Sequence, residues 1–305
     1  MSQTGFRETT LQEVKNSSDS QALLIDLLPP EHFERRHLPG AKNACVYQVV
    51  FLDSVAQIVA DKSLPIILYG AGAGAMDASV AAEKLTRAGY TDLAVFPGGI
   101  EAWAEAGLGL EGSVPQFLDP PYPVFSPQPK TYSMVDGRAC LTWTGRNHNT
   151  SHHGSLSLSK AEMDFSQGIR GFFEIDMRSI ANKNLEGDPL KEVLEGHLAS
   201  DDFFFVSHFP SAVFTLSQAA PHPLASATNP NYNITGQLSL RGLSKSFSFP
   251  AHFRMLENGQ IGLHANFDFD RTDWGIIYGS ARFFRHLGMH LVYDQISLEA
   301  RVVLA

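Results

Sequence analysis

A chain of 305 residues, 44% hydrophobic and 18% charged, has the composition of a soluble globular protein and the length for two domains. A formal net charge of -9, with no cluster of lysine and arginine, argues against a nucleic-acid binder. Two cysteines far apart, Cys45 and Cys140, without CxxC spacing, give neither a disulfide nor a zinc framework and fit a reducing compartment.

Residues 1–15 are polar and lack the apolar core and cleavage site of a signal peptide, and no apolar run can span a bilayer. The expected location is therefore the cytoplasm. Residues 22–28, Ala-Leu-Leu-Ile-Asp-Leu-Leu, have the length and apolarity of a buried parallel strand. Pro29-Pro30 opens a short helix, and His37-Leu38-Pro39-Gly40-Ala41 is a turn. A second apolar segment, 44–50, is read as a strand and precedes a helical stretch near 52–60. Then comes the apolar run 65–69, the loop Gly70-Ala71-Gly72-Ala73-Gly74-Ala75, and a segment of helical spacing over 79–85. Residues 92–96 read as another strand, and 100–106, with Trp103, as a last helix. Strands alternating with helices predict βαβ units and a parallel sheet. A loop between strand end and helix start is where such folds collect anions, because free amides and the helix dipole converge there. This loop holds only glycine and alanine, with no nucleophile.

In order and spacing, several motifs resemble a rhodanese domain over roughly residues 8–112. They are Ile25-Asp26, the 37–41 turn, the 65–69 strand, Ala81-Ala82 with Leu85, Gly89-Tyr90, and Pro97-Gly98-Gly99-Ile100 with Trp103. The resemblance implies sulfane-sulfur transfer through a cysteine at the first loop position, which here is Gly70. The family's arginine, two residues after the strand's aspartate, is Leu28, and the loop is a residue or two longer and lacks its arginines. A persulfide-forming cysteine must be a thiolate held by loop amides and positive charge, and both are missing. Cys45, after a different strand, is read as a buried structural thiol. The resemblance thus implies an inactive domain with a degenerate active-site loop, Gly70 to Ala75; a small anion at its amides is the functional alternative to a merely structural loop. Gly70-x-Gly72-x-x-Ala75 also matches a dinucleotide fingerprint, but it follows a third strand rather than the first, and no acidic residue ends the next strand.

Residues 113–130 are dense in proline and form a stiff connector whose Phe117, Tyr122 and Phe125 are expected to pack on a surface. Beyond it the pattern changes to period two, as in Leu141-Trp143, Leu156-Leu158, Phe173-Ile175-Met177, Leu238-Leu240, Phe247-Phe249, Phe267-Phe269 and Ile296-Leu298. This predicts antiparallel strands with one buried face. One helix, 190–199, places Leu190, Val193, Leu194 and Leu198 on a shared face. The expected architecture is α/β (1–112), a linker (113–130) and an all-β barrel or sandwich with a small helical insertion (131–305).

A second set of motifs resembles the YceI-like family over about 131–305. It includes Leu141-x-Trp143-Thr144-Gly145, His197-Leu198-x-Ser200-Asp201-Asp202-Phe203-Phe204, Gly236-x-Leu238-x-Leu240-x-Gly242 and Asp270-Arg271-Thr272-x-Trp274. The resemblance implies a lipocalin-like barrel around an apolar tunnel that holds polyisoprenoids or other long amphiphiles. The expected lining is Trp143, Leu156, Leu158, Phe173, Ile175, Met177, Phe214, Leu238, Phe247, Phe249, Phe267 and Phe269, with plain core packing as the alternative for each. His197, Asp201 and Asp202 are read as fixing the end of the helical insertion. His148, His152 and His153 are read as a solvated loop rather than a metal site. The expected protein is a non-enzymatic carrier of a long apolar molecule, without cofactor or metal. It is expected not to be membrane-embedded, with a protein partner at the first domain or a second copy of the chain as further partners. The alternatives are sulfur transfer through an atypical residue and a purely structural protein with a filled barrel.

Overall fold

In the computed structural model, which describes residues 5–16, 21–116, 122 and 124–305, the chain divides into two units, Met1–Pro120 and Pro121–Ala305. The first holds five parallel strands: β1 (Arg7–Glu8), β2 (Leu23–Asp26), β3 (Lys42–Asn43), β4 (Ile66–Tyr69) and β5 (Leu93–Phe96), in spatial order β1-β5-β4-β2-β3. Five helices surround them: α1 (Leu11–Lys15), α2 (Pro30–Arg35), α3 (Phe51–Ile58), α4 (Asp77–Arg87) and α5 (Gly99–Glu105). Alternate residues of the central strands feed two cores, as a sheet covered on both faces requires. Ile25, Leu68 and Val95 pack with Val55 of α3 and Ala81 and Leu85 of α4. Leu24, Ile67 and Phe96 pack with Val14 of α1 and Ile100 and Trp103 of α5.

Two features depart from the sequence reading. Residues 44–50 are not a strand: only Lys42 and Asn43 pair with β2, and a turn follows in which Cys45 and Val46 are buried while Val49 and Val50 are exposed. β1 and α1 were not anticipated, since two exposed polar residues give no strand period. The α1 signal was present all the same, as Thr10 and Glu13 form a reciprocal capping box.

The second unit is a closed antiparallel barrel of β6 (Thr131–Arg146), β7 (Ser151–Asp164), β8 (Arg170–Asn182), β9 (Ser211–Pro221), β10 (Tyr232–Leu240), β11 (Leu243–Met255), β12 (Ile261–Asp270) and β13 (Gln295–Leu304). Each strand pairs with its successor, and β13 closes on β6. β9 is the strand that the alternation did not expose. α6 (Leu190–Ala199) lies between β8 and β9. Its i, i+4 pair Leu194 and Leu198, with Ala199, joins the barrel core; Leu190 and Val193, expected on the same buried face, are exposed.

In the connector, Ser113 and Val114 donate to the carbonyls of Glu34 and Arg35. Phe125 packs against Phe165, Tyr232 and Phe253 of the barrel unit, whereas Tyr122 is exposed. Phe117 lies outside the described residues. Among the described residues no helix is long and apolar enough to cross a membrane.

Candidate functional site

One end of the barrel carries the hairpin 147–150, the segment 183–210 with α6, and the long connection 271–294. Inside that end is a cavity of about 150 Å³. Trp143, Leu156, Ile175, Met177, Leu238 and Phe269 lie on its wall. Leu141, Leu240, Ile296 and Leu298 extend the wall along the same inward face, and Leu194, Leu198, Phe203 and Phe204 roof it. Leu141 and Leu240 were legible, since each stands two places from a predicted lining residue, and Ile296 and Leu298 belong to the period-two run of the last strand. The roof was not, since its residues come from a segment without period. The charged and polar side chains Arg146, Asn147, Thr150, His152 and Arg271 stand toward the mouth, and Trp143 of the wall has a buried indole N–H with no hydrogen-bond partner.

The other six predicted lining residues stand outside this wall. Leu158 is half-buried in the core, and β7 shifts register between Leu158 and Lys160, which ends its alternation. The five phenylalanines pack on each other instead. Phe173 meets Phe214 at 6.4 Å between ring centroids, Phe214 meets Phe249 at 5.3 Å, Phe249 stacks on Phe267 at 4.0 Å, and Phe247 meets Phe267 at 5.4 Å. This column has a backbone cause. The β11–β12 ladder runs only from Met255↔Ile261 to Ala251↔Ala265, so residues 243–250 of β11 have no partner in β12. Phe247 and Phe249 from one side of the seam and Phe267 from the other fill the gap, backed by Trp274, whose indole N–H donates to the Leu238 carbonyl at 2.9 Å.

The mouth is held by buried arginine. Arg271 donates to the carbonyls of Ile276 (2.6 Å), Val292 (3.1 Å) and Tyr293 (3.1 Å), drawing the two ends of the 271–294 connection together. Burial lowers its pKa, and Asp294 and Asp270 oppose that shift. Arg241 donates to the carbonyls of Asp201 and Phe203, which fixes the segment after α6. His197 lies 3.1 Å from the Asp202 carboxylate, with its ring edge against Phe203 and Tyr278. His148 reaches the Tyr293 hydroxyl and His152 the Asn184 amide. Among the described residues no three His, Cys, Asp or Glu side chains are grouped to hold a metal ion.

The first unit's loop is filled from within. The Asp77 carboxylate, at the first turn of α4, accepts from the Ala71 amide at 2.9 Å and from the Tyr47 hydroxyl at 2.6 Å. A Cβ at Gly70 would collide with that carboxylate. The carbonyls of Gly70 and Ala71 accept from the Ile100 and Glu101 amides of α5, each at 3.0 Å. An internal anion thus holds one of the amides a bound anion would use. Cys45 is buried and Cys140 exposed, and neither is disulfide-bonded.

A closed antiparallel meander with an internal apolar cavity, preceded by a parallel α/β unit, defines the class. Residues 132–304 match the model of the YceI-like domain and residues 10–106 that of the rhodanese-like domain. The chain belongs to the YceI-like family and carries a rhodanese-like domain in its first unit. Similar solved structures include Burkholderia cenocepacia BcnA (18% identity, 56% of this chain and 98% of that one, TM-score 0.44). A polyisoprenoid-binding domain from Saccharophagus degradans, implicated in plant cell wall breakdown, is 13% identical over 57% of this chain and 97% of that one (TM-score 0.41). The Campylobacter jejuni YceI protein is 19% identical over 61% and 91% (TM-score 0.35).

Proposed function

We propose that the barrel binds an apolar chain and that the protein is a carrier rather than an enzyme. The observation that carries this reading is a cavity walled by apolar and aromatic side chains inside a closed barrel, with the charged side chains at the mouth. A dry wall of this kind gains ~0.8 kcal/mol for each methylene it takes from water, without specific polar contacts. Isoprenoid, quinone and fatty-acyl tails all offer that chemistry. The volume sets the fit. About 150 Å³ lies below the roughly 300–1,000 Å³ of drug-sized sites, so the cavity takes the end of a long chain. A longer buried segment requires the phenylalanine column to move.

Non-enzymatic character rests on the first unit's loop, where glycine stands at the nucleophile position and Asp77 occupies the space in front of it. That unit serves as an interaction or regulatory module for a protein partner. The unpaired thiols Cys45 and Cys140 support a cytoplasmic location.

Native mass spectrometry followed by solvent extraction tests the carrier reading. It predicts an added mass or an extractable lipid, and uptake of a fluorescent fatty acid by the emptied protein. Leu238→Phe, which fills part of the cavity, is expected to weaken that uptake about tenfold or more while the chain stays folded. A bare polypeptide mass with no uptake would favour a purely structural barrel. Thiosulfate-to-cyanide transfer above background, abolished by Cys45→Ser, would restore the sulfurtransferase alternative.

A further inference from the structure

The cavity mouth bears apolar side chains that the fold does not use. α6 gives Leu194 and Leu198 to the cavity and leaves Leu190 and Val193 in solvent. In the connection 271–294, Phe283, Phe284 and Met289 are exposed, Met289 at 94%. This connection begins and ends at the cavity, through Arg271 and Val292, and its Tyr278 ring lies 4.6 Å from the His197 ring near the end of α6. The exposed apolar groups of helix and connection therefore stand at the same end as the opening. Large apolar side chains gathered at one exposed place mark an interaction site rather than ordinary surface.

The charge around them indicates the partner. Residues 281–290 read Ala-Arg-Phe-Phe-Arg-His-Leu-Gly-Met-His, with two arginines, two histidines and no carboxylate, in a chain of net charge -9. Arg282 is paired with Asp270 at 2.8 Å. Arg285 is exposed and makes no ion pair among the described residues. Adjacent aromatics flanked by cations suit the boundary between lipid headgroups and acyl chains, where rings enter and cations meet phosphate. Between Leu190 and Val193, Lys191 is paired with Glu186 and Glu195 while Glu192 adds negative charge, so the connection makes the primary contact.

We propose that the mouth of the barrel docks on a bilayer containing anionic lipid, with Phe283, Phe284 and Met289 in the headgroup boundary and Arg285 at phosphate. The apolar ligand then passes between membrane and cavity without crossing water. The transfer role rests on the carrier reading above; the docking itself does not.

Sedimentation of the full chain with vesicles tests the docking, using phosphatidylcholine alone and phosphatidylcholine with about one third phosphatidylglycerol. The expected result is binding about tenfold stronger on the anionic vesicles, weakening as salt rises. Phe283→Ser with Phe284→Ser, and separately Arg285→Glu, are expected to bring binding down to the phosphatidylcholine level. Both variants should still take up a fluorescent fatty acid in vesicle-free buffer, because none of the three residues lines the cavity. Equal binding to both vesicles, wild-type binding by the variants, or a dimer that the double serine variant dissolves would each overturn the docking. A chain that takes up the fatty acid but ignores both vesicles overturns the docking and leaves the carrier reading intact. A chain that docks but takes up no fatty acid upholds the docking and removes the carrier reading.

Discussion

Asp26, wholly buried at the end of β2, carries the clearest titration signature of the first unit. The Leu28 amide donates to its carboxylate at 2.9 Å, and burial nevertheless pushes its pKa up to about 6, from an ordinary 3.8. The lowering influences of the Tyr69 hydroxyl and the Leu28 amide are too weak to reverse that. A carboxyl that holds its proton more tightly when folded contributes stability at low pH and loses it as pH rises through the folded value. Roughly 3 kcal/mol is lost between about pH 4 and pH 6. Asp26→Asn should flatten this slope and raise the first unit's melting temperature at pH 7, which melts taken across that pH range will show. At Gly70 the expectation is steric. Gly70→Ala should destabilise by about 1–3 kcal/mol through the clash with Asp77, and Asp77→Ala added to it should not restore stability, because the Asp77 Cβ itself lies 2.6 Å from the new methyl and the bonds to Ala71 and Tyr47 go with the carboxylate. Gly70→Cys should give no sulfur transfer, since a thiol beside a carboxylate is held protonated. The glycine at the first loop position was plain in the sequence. Asp77 was not, because nothing in the spacing shows that a side chain seven positions on turns back into the loop.

At the scale of elements, the β11–β12 seam decides how much of the barrel is open. Phe249 and Phe267 replace with stacked rings the cohesion that main-chain bonds supply elsewhere in the barrel. Each truncation to alanine is expected to cost about 2–3 kcal/mol, below the full value for a buried phenylalanine because both are half-buried. Chemical denaturation of the single and double variants should give a coupling near 1 kcal/mol; additive losses would show that the rings do not act as a pair. Period-two alternation located seven of the eight barrel strands and told which residues face inward. It could not tell wall from filling, since that depends on where the ladder breaks. Phe247 and Phe269 alternate alike in sequence, yet one closes a seam and the other lines a cavity. The same limit applies to α6, where spacing identified a shared apolar face but not how much of it the barrel would cover.

For the whole molecule, strands that each pair with their neighbour in sequence make the meander legible once the strands are found; within the barrel the β13–β6 closure is the pairing that no local pattern announces, as β1–β5 is in the parallel sheet. The two units bury separate cores. Calorimetry of the full chain is expected to show two transitions, and a fragment of residues 121–305 should reproduce one of them unchanged. A single transition lost on cutting the connector would contradict this.

The seam also bears on how the protein behaves in a crowd. Where β11 leaves β12, its main chain is a strand edge inside a nominally edgeless fold, the kind of template to which another extended chain adds itself. The residues along it work against that. Lys245 and the serines 244, 246 and 248 are exposed, and Pro250 has no amide to offer. A barrel that keeps a parting between two strands, as this one does, guards it with residues onto which a stray strand zips poorly.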